Sequence, residues 1–208
     1  MPIRCRILAV VFAIIAFAVL SPAHSKAGED AGVFVKELGD KAIQLLTTDS
    51  LAEIERKARF RELFRTNFDV ERIGRFTLGK HARRIDAQQL AEFHRLFEDF
   101  IVVTYASRFS EYSGETFEVR SVREESGRDT LVLTEILRPA GGPPFRVYWQ
   151  VKEKNGMFRI IDVKVEGVSM SIAQRSEFAS VIQRHGGVDG LIHQLKEKTK
   201  ALIVTPTK

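Results

Sequence analysis

At Gly114 the hydrophobic period of the chain changes from 3.6 residues to 2, which divides the sequence into a helical half and a stranded half. Residues 31–112 read as helices. In the first, Val33, Leu38, Ala42 and Leu45 recur at helical spacing. A second is expected to open at Ser50, whose hydroxyl would cap it while Glu53 reaches back, with Leu51, Ile54, Ala58, Leu63, Phe64 and Phe68 apolar. Asp69 caps a short helix through Phe76 that Gly79 ends, and Asp86 with Gln89 opens a long one running to about Glu111. Beyond Gly114 the spacing predicts four strands at about 115–123, 129–138, 144–153 and 157–166. Turns are expected at Ser126-Gly127, Gly141-Gly142-Pro143 and Asn155-Gly156. The last is the strongest hairpin signal, because both residues tolerate positive φ. Ser169 or Ser171 then caps a helix through Gln183, Gly186-Gly187 ends it, and a final helix uses Val188, Leu191, Ile192 and Leu195.

This order predicts an α+β fold in which helices pack on a strongly curved four-stranded antiparallel sheet with a cone-like interior. The long helix carries the most information. Leu90, Phe93, Phe97, Phe100, Ile101, Thr104 and Tyr105 share one face, while Leu96, Val102, Val103 and Phe109 widen the apolar arc beyond a half-turn. A helix packed on one neighbour needs a narrower stripe, so something apolar must cover the extra face.

At the other end of the chain, Arg4 and Arg6 precede an uncharged apolar run from Ile7 to Leu20 and then Ser21-Pro22 and small residues. This is the pattern of a cleavable export signal over residues 1–25. The run has 14 residues where a bilayer-crossing helix needs about 20. One domain is expected over residues 26–200, followed by a polar tail at 201–208. Removing the signal lowers the formal charge from +5 to +3, since Arg4 and Arg6 leave and no acid does. The single cysteine, Cys5, leaves with it, so the mature chain has no disulfide, thiol nucleophile or thiolate metal site.

Few residues in the mature stretch suggest chemistry. His24, His81, His94, His185 and His193 show no metal-ligand spacing, and His94 and His193 are expected on helix surfaces. No cofactor is implied. Asp162 lies mid-strand between Ile161 and Val163, where a carboxylate is unfavourable unless paired. A salt bridge to Arg175 or Arg159 is the expected structural role. The competing enzyme reading uses Asp162 as base beside Tyr105 or Tyr148 in an isomerase-like site. Basic residues cluster at Arg56, Lys57, Arg59, Arg61 and Arg65 and again at Arg72, Arg75, Lys80, Arg83 and Arg84. Glu53, Glu55, Glu62 and Glu71 are interspersed, which argues against nucleic acid and leaves a solvated face, or docking on an acidic protein or anionic headgroups.

Three blocks carry a family resemblance. Residues 68–80, with Asp69, Arg72, Leu78 and Gly79, resemble the D-x-x-R-x-x-x-x-x-L-G stretch of the MlaC (toluene-tolerance) family of periplasmic phospholipid-binding proteins. Phe93, Phe97 and Thr104-Tyr105 resemble its F-x-x-x-F…T-Y helix. Residues 162–169 followed by Arg175-Ser176 and Phe178 resemble its D-V-x-V-E-G-V-S…R-S-x-F signature. The resemblance implies a periplasmic, non-enzymatic carrier with an NTF2-like fold enclosing an apolar lipid cavity. It implies Phe76, Leu78, Phe93, Phe97, Phe100, Ile101, Tyr105, Val147, Trp149 and Val168 as lipid-binding residues. The implied partners are a phospholipid, an inner-membrane ABC transporter with an MCE-domain subunit, and an outer-membrane lipoprotein complex. The implied role is maintaining outer-membrane lipid asymmetry. A related branch is associated with hopanoids, so a hopanoid or other lipid is the alternative cargo.

Overall fold

A computed structural model describes residues 26–48, 50–106, 112–125 and 129–204. The stretch expected as an export signal, His24, Phe109, the end expected for the long helix and the expected Ser126-Gly127 turn lie outside the described residues. Six helices and five strands follow in order: α1 Lys26–Thr47, α2 Glu53–Asn67, α3 Val70–Leu78, α4 Ala87–Ala106, β1 Thr116–Glu124, β2 Asp129–Leu137, β3 Phe145–Lys154, β4 Met157–Val165, β5 Val168–Ser169, α5 Met170–Arg184 and α6 Val188–Val204. A 3₁₀ turn over Gly79–Arg83 links α3 to α4. No described helix is long and apolar enough to cross a membrane.

The sheet is an antiparallel meander ordered β1-β2-β3-β4-β5. It has one strand more than the periodicity predicts. Glu166 and Gly167 both take positive φ, 48° and 83°, so β4 turns back through two residues and Val165 pairs with Val168. That is the same hairpin geometry as Asn155-Gly156, with φ of 56° and 73°, but a glutamate hides the signal. A bulge at Gln150/Val151 leaves Ile161 as the extra residue on β4.

α1 lies across β1 and β2. Its inward face is Ala31, Val35, Leu38 and Leu45, whereas Val33, expected inside, points to solvent. Close approach explains the choice of face. A Cβ at Gly32 would sit 2.8 Å from Val122 Cγ2, and one at Gly39 would overlap the Phe117 ring. Those two glycines, two turns apart on the helix, let its backbone rest on β1.

The helix starts divide along capping chemistry. Asp69 accepts from Arg72 N at 3.1 Å, and Asp86 and Gln89 cap each other reciprocally, both as expected. Ser50 does not cap α2. That helix begins three residues later behind Ala52, with no side-chain cap. Ser169, rather than Ser171, caps α5 by accepting from Ile172 N at 3.1 Å. α6 runs to Val204, four residues into the stretch expected as tail.

Candidate functional site

The expected lipid-binding residues fall in three places. Leu78, Phe93, Phe97 and Phe100 join Phe178, Ile182, Leu191, Ile192 and Leu195 in a core built by α3, α4, α5 and α6, with Ile101 packed against it. Phe93 and Phe97 stack at 5.8 Å, and the Phe178 ring meets both edge-on at 6.0 and 6.2 Å. The wide apolar arc of α4 is therefore covered by protein: α6, α2 and α3 all pack against this helix.

Trp149 belongs to a second core, made by α1 and the sheet around Val35, Val132, Val151 and Ile160. Its ring meets Phe117 edge-on at 6.1 Å, and its Nε1 donates to Thr134 Oγ1 at 2.9 Å. Val147 is buried beside it on β3, outside both clusters, as are Phe64 of α2, Val102, Val103 and Ala106 of α4, and Ile161 of β4. Phe76, Tyr105 and Val168 are exposed, at 41%, 42% and 56%. The structure thus places Phe97 and Trp149 in different cores.

Asp162 is buried and forms no salt bridge among the described residues, contrary to the expected pairing with Arg175 or Arg159. Ser169 Oγ donates to its Oδ2 at 2.6 Å, while Ser171 Oγ and N donate to Oδ1 at 2.7 and 3.1 Å. Three donors satisfy the carboxylate, which ties the end of β4 to the first turn of α5. Arg159 instead donates to the Phe158 carbonyl, and Arg175 lies over the Phe76 ring. The D-V-x-V-E-G-V-S block is a corner: Asp162 anchors it, Glu166 and Gly167 turn it, and Glu166 Oε1 accepts from Arg146 N at 2.5 Å.

His94 is half-buried instead of solvated. Its Nε2 has no hydrogen-bond partner among the described residues, and its ring presses on Gly74 and Phe93. Burial holds its pKa below the ordinary value; the nearby Arg75 charge lowers it further and Glu71 opposes this. The unfolded chain therefore binds a proton first as pH falls. Stability should be full above about pH 6.5 and decline as pH falls through the folded value. Denaturant melts between neutral and mildly acidic pH should show His94→Gln losing less than the parent, and parallel losses would refute the assignment.

The two basic clusters have different fates. On α2 the charges are engaged: Arg56 donates to the Leu45 and Thr48 carbonyls, Lys57 and Arg59 pair with Glu53 and Glu55, Arg61 bridges Glu98 and Asp99 at 2.7 Å each, and Arg65 reaches Glu98. Arg56 fastens α2 to the end of α1, and Arg61 and Arg65 fasten it to α4, while the Lys57 and Arg59 pairs stay within α2. A cavity of about 410 Å³ lies between α1 and α2, lined by Leu45, Leu51 and Leu63 and by polar groups including Lys41, Arg59 and Glu62.

A second cavity, about 300 Å³, lies where α3 and the 3₁₀ turn meet α5. Its lining is Arg75, Phe76, Gly79, Lys80, Arg83 and Arg175, with no acid among them. Arg75, Lys80 and Arg83 stand in one basic run of the sequence, whereas Arg175 is expected from it only as a partner of Asp162, with Arg159 as the alternative. The cue was present, since Gly79 and Arg175 sit in two of the blocks that carry the family resemblance.

Comparison with known proteins agrees with this architecture. Among solved structures, the chain is similar to the phospholipid-binding protein from Ralstonia solanacearum in complex with a phospholipid, with a TM-score of 0.72 and 20% identity, covering 83% of this chain and 98% of that one. It is 23% identical over 139 residues to the intermembrane phospholipid transport system binding protein MlaC of Haemophilus influenzae, and 21% identical over 134 residues to the toluene tolerance protein ttg2D of Pseudomonas putida. These alignments cover 65% and 62% of this chain, and 64% and 62% of the respective relatives, just under two thirds of their length. The MlaC protein family model matches residues 36–197, most of the chain, and the chain belongs to that family.

Proposed function

We propose that the protein is a periplasmic phospholipid carrier that moves lipid between an inner-membrane ABC transporter with an MCE-domain subunit and an outer-membrane lipoprotein complex, and so maintains outer-membrane lipid asymmetry. The supporting observation is the division of the apolar interior into two separately packed cores, in a chain of the MlaC family. On this reading the acyl chains part the cores. They run between Val102, Val103 and Ala106 of α4 and Val147 and Trp149 of β3. Phe93, Phe97 and Phe100 form the back of the helical wall, and Tyr105, Phe76 and Val168 lie toward its mouth.

Burying tails is worth about 0.8 kcal/mol per CH₂ relative to water, but extraction from a bilayer gains none of it. The carrier therefore matches the membrane without outcompeting it, and direction comes from its partners. No catalytic step is needed, and the one buried carboxylate at the corner is occupied by serines. Gently purified protein should release about one phospholipid per chain on organic extraction and mass spectrometry. Hopanoid in its place would change the cargo. No lipid at all, together with a melting temperature that added phospholipid fails to raise, would overturn the reading.

A further inference from the structure

The cleft between α3 and α5 holds four cations, Arg75, Lys80, Arg83 and Arg175. None of them ion-pairs with a carboxylate among the described residues, whereas most other basic side chains of the helical half are engaged. Arg175 is held in place. Its guanidinium lies 5.2 Å over the Phe76 ring, and a Cβ at Gly79 would sit 2.9 Å from its Nε. Gly79 itself has φ of 58°, a conformation that already favours glycine, and the missing side chain is what leaves room for the guanidinium.

Exposed apolar side chains accompany the cations on the segments that form the cleft. Ile172, one turn before Arg175 on α5, is exposed, as are Phe76 on its wall and Val168 just ahead of the helix. A concave cationic pocket beside exposed apolar side chains fits an amphiphile with an anionic head. Planar guanidinium groups bind phosphate oxygens in pairs, and an ammonium group adds a mobile point charge.

We propose that this cleft binds the phosphate of a phospholipid headgroup. The inference rests on the phospholipid reading above and adds the place where the head is held. The mature charge is only mildly positive, so local concentration of these four cations, and not the protein's overall field, selects the ligand.

The test compares delipidated wild-type protein with the Arg75→Gln/Lys80→Gln/Arg83→Gln/Arg175→Gln variant. The probes are dioleoyl-phosphatidylglycerol and dioleoylglycerol, which share their tails and differ in the phosphate head. Both are dispersed in neutral detergent, and binding is read by fluorescence of Trp149, the only tryptophan. Wild type should bind the phosphatidylglycerol about tenfold more tightly than the diacylglycerol, the equivalent of about one charge-assisted hydrogen bond. The variant should lose about that factor for phosphatidylglycerol and keep its affinity for diacylglycerol. Inorganic phosphate, on the order of tens of millimolar, should compete only with the phosphatidylglycerol.

Equal binding of the two probes by wild type, or undiminished discrimination by the variant, would overturn the headgroup site and leave the carrier reading standing. Protection of the cleft by inorganic phosphate without competition would assign it to free phosphate and also overturn the proposal. Binding of neither probe would remove the phospholipid reading itself.

Discussion

Asp162→Ala should lower folding stability by about 3–5 kcal/mol, because it leaves two serine hydroxyls and the Ser171 N–H without their acceptor in a buried corner. For a domain of this size that is roughly ten degrees or more of melting temperature. Asp162→Asn keeps the shape and one acceptor oxygen but turns an NH₂ toward a donor, so it should fall between wild type and the alanine variant. Lipid per folded molecule should not change in either. Calorimetry and extraction on the same samples check both statements. An alanine variant melting within a degree or two of wild type would mean that β4 and α5 are held together by other contacts. Loss of an enzymatic turnover at unchanged stability would return Asp162 to the catalytic reading.

Phe97→Ala is expected to cost about 3–5 kcal/mol, the usual range for removing a core phenyl ring. The ring is 1% exposed and touches Phe93 and Phe178, so loaded and delipidated protein should lose equally. Trp149→Ala should differ. Trp149 is only partly buried and faces the proposed tail path, so its removal should lower the melting temperature of loaded protein more than that of delipidated protein, since ligand binding stabilises the folded form alone. A Phe97→Ala loss confined to the loaded form would show that the ring faces acyl chains. It would also mean that the helical core opens when lipid enters.

Residues whose local chemistry decides the outcome were readable in the sequence. Asp69 and Asp86 announce helix starts because a short carboxylate satisfies free N–H groups one turn on, and Asn155-Gly156 announces a hairpin because both residues accept positive φ. The family was legible partly for the same reason: two of its three blocks are a capped helix start and a corner, while the third is a core face of α4. What depended on tertiary neighbours was not readable. Glu166 adopts the left-handed conformation of its two-residue turn with Gly167, held by backbone and side-chain bonds to Arg146, a strand away in the fold. Val33 and His94 were assigned by position on a helix, yet the inward face of α1 is set by glycines meeting β1 and that of His94 by Gly74. The arc of α4 correctly signalled many neighbours, but periodicity cannot tell a protein neighbour from a lipid one. The cleft was missed because its two halves lie far apart in sequence.

Every strand of the sheet pairs with the strand adjacent in sequence, so each pairing closes only a short loop. Chain entropy scarcely opposes the growth of such a meander, and its ladder can extend one hairpin at a time. α1 is placed oppositely. Its partner β1 lies beyond α2, α3 and α4, so its docking closes a long loop, and the glycines that let it sit close give it little helical stability of its own. The meander is therefore the local part of the fold and α1 the non-local part. The backbone pairing of the sheet can be complete before the helix arrives to cover it.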